Sequence, residues 1–141
     1  MVRAVTTFRI SEAAALLGVS SDTVRRWVDA GRLAAVRDEH GHRQISGADL
    51  AAFARSQVET TGDGRRSSAR NRLRGIVTEV IRDAVMAQVE IAAGPFRVVS
   101  LMSRQAADEL GLEPGVVAVA VIKSTNVVVE IPSHERVATT P

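Results

Sequence analysis

Ser67-Ser68-Ala69-Arg70-Asn71-Arg72-Leu73-Arg74-Gly75 is the point where this 141-residue sequence changes its periodicity. Before it, apolar residues recur at helical spacing. After it come short runs rich in Val and Ile, separated by Gly, Pro and Asp. The expectation is a two-domain α+β chain whose second unit opens at Ser68. The preceding Gln57–Ser67 segment has two Gly, several hydroxyls and almost no apolar content, which is the composition of a linker.

Working upstream, Ser11 is placed to cap a helix carrying Ala14 and Leu17, with Gly18 as its terminator. Ser20-Ser21-Asp22 is a second N-cap signal. The helix that follows sets Val24, Trp27 and Val28 on one side, leaving Ser21, Thr23, Arg25 and Arg26 largely on others. Leu33–Arg37 and His42–Ile45 flank the polar turn Asp38–Gly41 and read as a hairpin. Ser46-Gly47-Ala48-Asp49 is a capping box with Asp in the Glu position, opening a third helix with Leu50 and Phe53. The order helix, turn, helix, hairpin, helix is that of a winged helix-turn-helix. Trp27 is expected in the core. His40 and His42 have no cysteine or helically spaced histidine beside them, so a loop role is expected rather than metal ligation.

Working downstream, Gly75–Ile81, Val85–Ile91, Phe96–Leu101, Val116–Ile122 and Val127–Ile131 read as five strands. Ser103 caps a short helix, Arg104–Leu110. Five strands and one helix predict a small five-stranded OB-like β-barrel. The expected division is 1–56, a linker 57–67, 68–132, and a loose tail 133–141.

Composition narrows the function. Hydrophobic residues make up 45% of the chain and there is no cysteine, which excludes disulfides, thiolate metal sites and thiol catalysis. The net charge of +2 is too small to mark a nucleic-acid binder, so any DNA contact must come from a local arrangement of arginines. No apolar run spans a bilayer and no secretory h-region is seen, so a cytoplasmic protein without a membrane partner is expected. Scattered histidines without carboxylate partners argue against an enzyme. Two units of this size are marginal alone, which favours a homo-oligomer.

Two resemblances follow from quoted residues. Ile10–Ala14, Leu17–Ser20, Thr23–Trp27, Gly31–Leu33, Gly41–Arg43 and Asp49-Leu50 resemble the MerR/excisionase-type DNA-binding domain. That resemblance implies DNA contacts from Ser21, Thr23, Arg25 and Arg26, with His42 and Arg43 on the wing. Arginine forks suit phosphates and guanine edges. Ser68–Gly75, Glu109–Gly115 and Val121–Val127 are similar, in order, to the motifs of the molybdate-binding Mop (molbindin, TOBE) domain.

The second resemblance implies molybdate or tungstate as ligand, with no organic cofactor, bound between subunits of an assembly from dimer to hexamer. Its site residues are Ser68, Ala69, Arg70, Asn71, Ser103, Lys123 and Ser124. Arg70 contributes either its guanidinium or only its backbone N–H, and Asn71 is expected to fix the turn. The chemistry agrees: a tetrahedral dianion only accepts hydrogen bonds, so its site needs hydroxyls, N–H groups and a cation. Lys123 is the sole lysine among 18 basic residues, and a compact ammonium suits a small anion better than a planar fork. The leading expectation is a molybdate- or tungstate-responsive transcription regulator, of ModE-type logic with a different reading head. The alternative is an oxyanion storage or buffering protein. An accessory domain of a transporter ATPase is disfavoured by the lack of a phosphate-binding loop.

Overall fold

A computed structural model describes residues 6–58 and 67–132. The chain divides into two compact units, Met1–Arg65 and Arg66–Pro141. The expected linker falls mostly, and the expected tail wholly, outside the described residues.

In the first unit, α1 (Ile10–Leu17) and α2 (Ser21–Asp29) are joined by a short turn. The turn works because Gly18 takes φ 69°, a left-handed conformation that costs glycine nothing. Helix α1 starts one residue before Ser11: the Arg9 N–H donates to Glu12 Oε1 at 3.0 Å, closing the N-terminus from the opposite direction. Helix α2 is capped as read, with the Thr23 N–H donating to Ser20 Oγ at 3.2 Å. Strands β2 (Val36–Arg37) and β3 (Arg43–Ser46) form the expected hairpin. A short β1 (Thr7–Arg9) adds to β3, giving a three-stranded sheet of order β1-β3-β2. The Asp49 N–H donates to Ser46 Oγ at 3.1 Å and opens α3 (Gly47–Gln57). Ala13, Val24, Leu33, Ile45, Leu50 and Phe53 form the core. Trp27 packs on it, its ring 4.8 Å from that of Phe53.

The second unit corrects the predicted barrel. Strands β4 (Asn71–Arg82), β5 (Met86–Ala93), β6 (Phe96–Ser103) and β7 (Val117–Ile122) form an open four-stranded sheet of order β6-β5-β4-β7. It is a half-barrel, not a closed five-stranded OB barrel. The predicted fifth strand, Val127–Ile131, is irregular and exposed, without a ladder partner among the described residues. Its β-branched residues favour a strand, but a strand exists only when its backbone groups find a partner.

One face of this sheet is covered by α4 (Arg104–Glu109) and the segment after it, burying Val77, Ala87, Val89, Ile91, Ala107 and Leu112. Each large side chain buried here stabilises the unit by about 1.5–3 kcal/mol. Gly75 lets β5 approach: a Cβ there would lie 2.8 Å from the Ala92 carbonyl carbon and 2.8 Å from Ile91 Cγ2. The β4–β5 register shifts between Val77 and Glu79, so the inward positions change from odd to even. Arg82 is turned inward as a result. Its Nε donates to Asp108 Oδ1 at 3.0 Å and its Nη2 to the Leu112 carbonyl at 2.8 Å, tying α4 to the sheet.

Candidate functional site

Antiparallel pairing of β4 with β7 sets Asn71 opposite Ile122. Ser68-Ala69-Arg70 therefore leads into β4 at the same end of the sheet where Lys123-Ser124 leaves β7. Asn71 joins the two segments, its Nδ2 donating to the Ile122 carbonyl at 3.1 Å. Beyond β7, the Asn126 N–H donates to the Lys123 carbonyl at 2.9 Å, closing a 3-10 turn over Ser124–Asn126. Ser68, Lys123 and Ser124 are exposed, with no side-chain hydrogen bond among the described residues. All three thus lie in segments at one sheet end, each with an exposed donor. Arg70 behaves differently: its Nη1 donates to the carbonyls of Ser67 at 3.1 Å and Ala69 at 3.3 Å, folding the guanidinium back on its own loop. The Ala69 N–H is taken by Ser67 Oγ at 3.1 Å.

Ser103 is not brought to this group. It ends β6 opposite Met86, near the Arg82 end of β4. At about 3.3 Å per residue, the 12-residue β4 separates the two ends by roughly 35 Å of contour. The Ser103 Oγ accepts the Ala106 N–H at 3.1 Å, leaving its hydroxyl proton available. Arg104, next to it, donates through Nη1 to the Asp83 carbonyl at 3.2 Å. Asp83 itself is held below its ordinary pKa by the N–H groups of Met86 and Val85. The sequence reading missed Arg82. No motif marks it, and only the shifted register reveals that it faces inward.

In the first unit a cavity of about 430 Å³ is lined by Arg9, Arg25, Arg37, His42 and Arg43, with Asp29 at its side. Arg25, His42 and Arg43 were expected at a nucleic-acid face; Arg9 and Arg37 join them. Ser21, Thr23 and Arg26 do not line the cavity. Thr23 Oγ1 lies 2.9 Å from Ser20 Oγ in the cap and accepts from Arg26 Nη2 at 3.4 Å. Two arginines are held by α2 itself, Arg25 Nη1 on Asp22 Oδ1 and Arg43 Nη2 on Asp29 Oδ1, each at 2.6 Å. On the wing, Asp38 accepts the N–H groups of His42 and His40, each at 2.9 Å. The His42 N–H is the main reason its pKa lies below the ordinary value, against a smaller desolvation effect. Among the described residues no three His, Cys, Asp or Glu side chains are grouped to hold a metal ion, and no helix is long and apolar enough to cross a membrane.

Two domain families match the chain, a helix-turn-helix domain over residues 7–58 and a TOBE domain over residues 67–129. Molybdenum-pterin-binding protein 3 of Clostridium pasteurianum is 44% identical over 64 residues, which cover 44% of this chain and 93% of that protein. Molybdenum-pterin-binding protein 1 of the same organism is 41% identical over the same span and coverage. Among solved structures, the cytoplasmic molybdate-binding protein ModG with molybdate bound is 30% identical, with TM-score 0.47, covering 65% of this chain and 78% of that one. The chain joins a helix-turn-helix domain to a TOBE domain. Through its second unit it belongs to the TOBE family that includes the clostridial proteins.

Proposed function

We propose that the C-terminal unit binds molybdate or tungstate, and that the chain captures and buffers this oxyanion in the cytoplasm. The observation that carries the reading is the match to 93% of a molybdenum-pterin-binding protein, supported by the lie of the Ser68 and Lys123-Ser124 segments at one sheet end. Hydroxyl donors and one ammonium are what a tetrahedral dianion requires. The site runs over Ser68–Asn71, Lys123 and Ser124, with Arg70 offering its backbone N–H rather than its side chain and Ala69 doing so only in exchange for Ser67 Oγ. Because Ser103 lies at the far end of its own sheet, its hydroxyl reaches the ion only from another copy. That geometry favours a homo-oligomeric site. A binding role without catalysis is what the relatives' names describe.

The relatives' name mentions a pterin, whereas the proposed ligand is the bare oxyanion. Equilibrium dialysis against sodium molybdate, with elemental analysis of the retained metal, tests this directly. Retention without any added organic molecule is expected; retention only with an added pterin would contradict it.

A second reading is favoured by the cavity of arginines beside α2 and by the helix-turn-helix match. In it, residues 1–56 form a MerR/excisionase-type reader of DNA and residues 68–132 its oxyanion sensor, giving a regulator of ModE-type logic. The ion shifts DNA affinity only through a difference in its own affinity for the two states. Gel-shift assays on fragments upstream of the chain's own reading frame, with and without molybdate, test it. Binding in neither condition leaves buffering as the function.

A further inference from the structure

The arginines around α2 fall into two groups. Arg9, Arg25, Arg37 and Arg43 line the cavity of about 430 Å³, whereas Arg26 stands outside it. The four come from separate elements: Arg9 from β1, Arg25 from α2, Arg37 from β2 and Arg43 from β3. The lining sets one carboxylate, that of Asp29, against these four guanidiniums.

Two of the four are already matched. Arg43 is bonded to Asp29 and Arg25 to Asp22, each at 2.6 Å. Arg9 and Arg37 are exposed and in no ion pair among the described residues. Arg37 is aimed by its own turn, its Nη1 donating to the Gly41 carbonyl at 2.7 Å. A guanidinium has five N–H donors, so this bond leaves most of them available. Ser11 adds a hydroxyl to the same wall. The cavity thus keeps two unmatched positive charges in a wall rich in donors, the complement of an anion.

Size decides which anion. A volume of about 430 Å³ is many times the roughly 30 Å³ that one water occupies. A lone tetrahedral oxyanion would leave most of that space to solvent. A stretch of sugar–phosphate backbone fills it and brings two negative charges to the two unmatched cations. On the reading of residues 1–56 as a DNA-binding unit, we propose that this cavity seats the backbone of one strand, with Arg9 and Arg37 each neutralising a phosphate. Neither residue lies in the motifs shared with the MerR/excisionase-type domain. Contacts of this kind position a duplex and carry no sequence information. Base reading is then left to side chains outside the cavity, Arg26 among them.

Anisotropy titrations of the full chain test this, with a labelled random-sequence duplex of about 20 base pairs and a duplex from upstream of its own reading frame, between about 50 and 200 mM salt. Arg9→Gln and Arg37→Gln are each expected to shrink the slope of log K against log salt by about 0.9, and to weaken both duplexes by the same factor. Arg37→Lys keeps the charge and the slope, which separates a lost phosphate contact from a disturbed wing turn. With the wild type bound to DNA, an unchanged slope in either Gln variant, or a loss confined to one duplex, would overturn the backbone site and leave the DNA reading standing. Binding to neither duplex would overturn both. Saturable binding of inorganic phosphate at about 1 mM, lost in Arg9→Gln, would give the cavity to a free oxyanion and overturn the proposal as well.

Discussion

Asn71 and Ile122 stand 51 residues apart in sequence, yet the Asn71 side chain donates to the Ile122 carbonyl at 3.1 Å. This bond fastens the entry of β4 to the exit of β7 and so fixes Ser68 and Lys123 at one sheet end. Replacing Asn71 with Ala leaves the half-buried Ile122 carbonyl without its amide. The expected loss is about 1 kcal/mol of stability in the C-terminal unit, read by thermal unfolding. Molybdate affinity should fall at least about tenfold, or about 1.4 kcal/mol, because both motifs lose their mutual register. Unaltered affinity would separate Asn71 from the site.

Lys123→Ala removes the one lysine of the chain. Calorimetric titration should show molybdate binding weakened by roughly ten- to a hundredfold, since bonds from charged donors contribute about 1.5–3 kcal/mol. Circular dichroism should stay unchanged, because Lys123 is exposed and makes no packing contact in the core. Lys123→Arg should recover only part of the affinity.

Gly75→Ala drives a methyl group into the Ala92 carbonyl and Ile91. The sheet must then open at β4–β5, at an expected cost of about 1–3 kcal/mol or more. Scanning calorimetry should show the C-terminal transition lowered and the N-terminal one unmoved.

Arg25→Ala combined with Arg26→Ala tests the DNA reading. Loss of fragment binding with intact molybdate titration is expected if α2 is a reading helix. Loss of both activities would point to misfolding.

The wing carries a pH dependence. The folded pKa of Asp38 lies below its ordinary value of 3.8, chiefly because its carboxylate accepts the His42 N–H. Its contribution to stability is therefore complete above that value and is lost as pH falls through the lower, folded pKa. Asp38→Asn should remove this part of the acid sensitivity, measured by denaturant titrations between pH 5 and 2.

Much of the first unit was legible because its signals are local. Ser20, Gly18 and Ser46 act on residues only a few positions away, and the helices follow. Strand β1 was missed because Thr7–Arg9 is defined only by pairing with β3, far along the chain. In the second unit, β-branched runs located β5, β6 and β7. The start of β4 was hidden because Asn71–Arg74 carries arginines at alternate positions, where an apolar strand was sought. Val127–Ile131 shows the opposite error: high strand propensity without a partner to realise it. Of the proposed site, Ser68 and Lys123 stand out in the sequence as motif residues. The distance of Ser103 does not, since it depends on β4 being 12 residues long.

The central claim is that the full chain holds a tetrahedral oxyanion, and titration calorimetry with sodium molybdate tests it most directly. Saturable binding at micromolar concentration or tighter is expected, competed by tungstate and weakened in Lys123→Ala. No binding at about 1 mM molybdate, equivalent to less than about 4 kcal/mol, would contradict it.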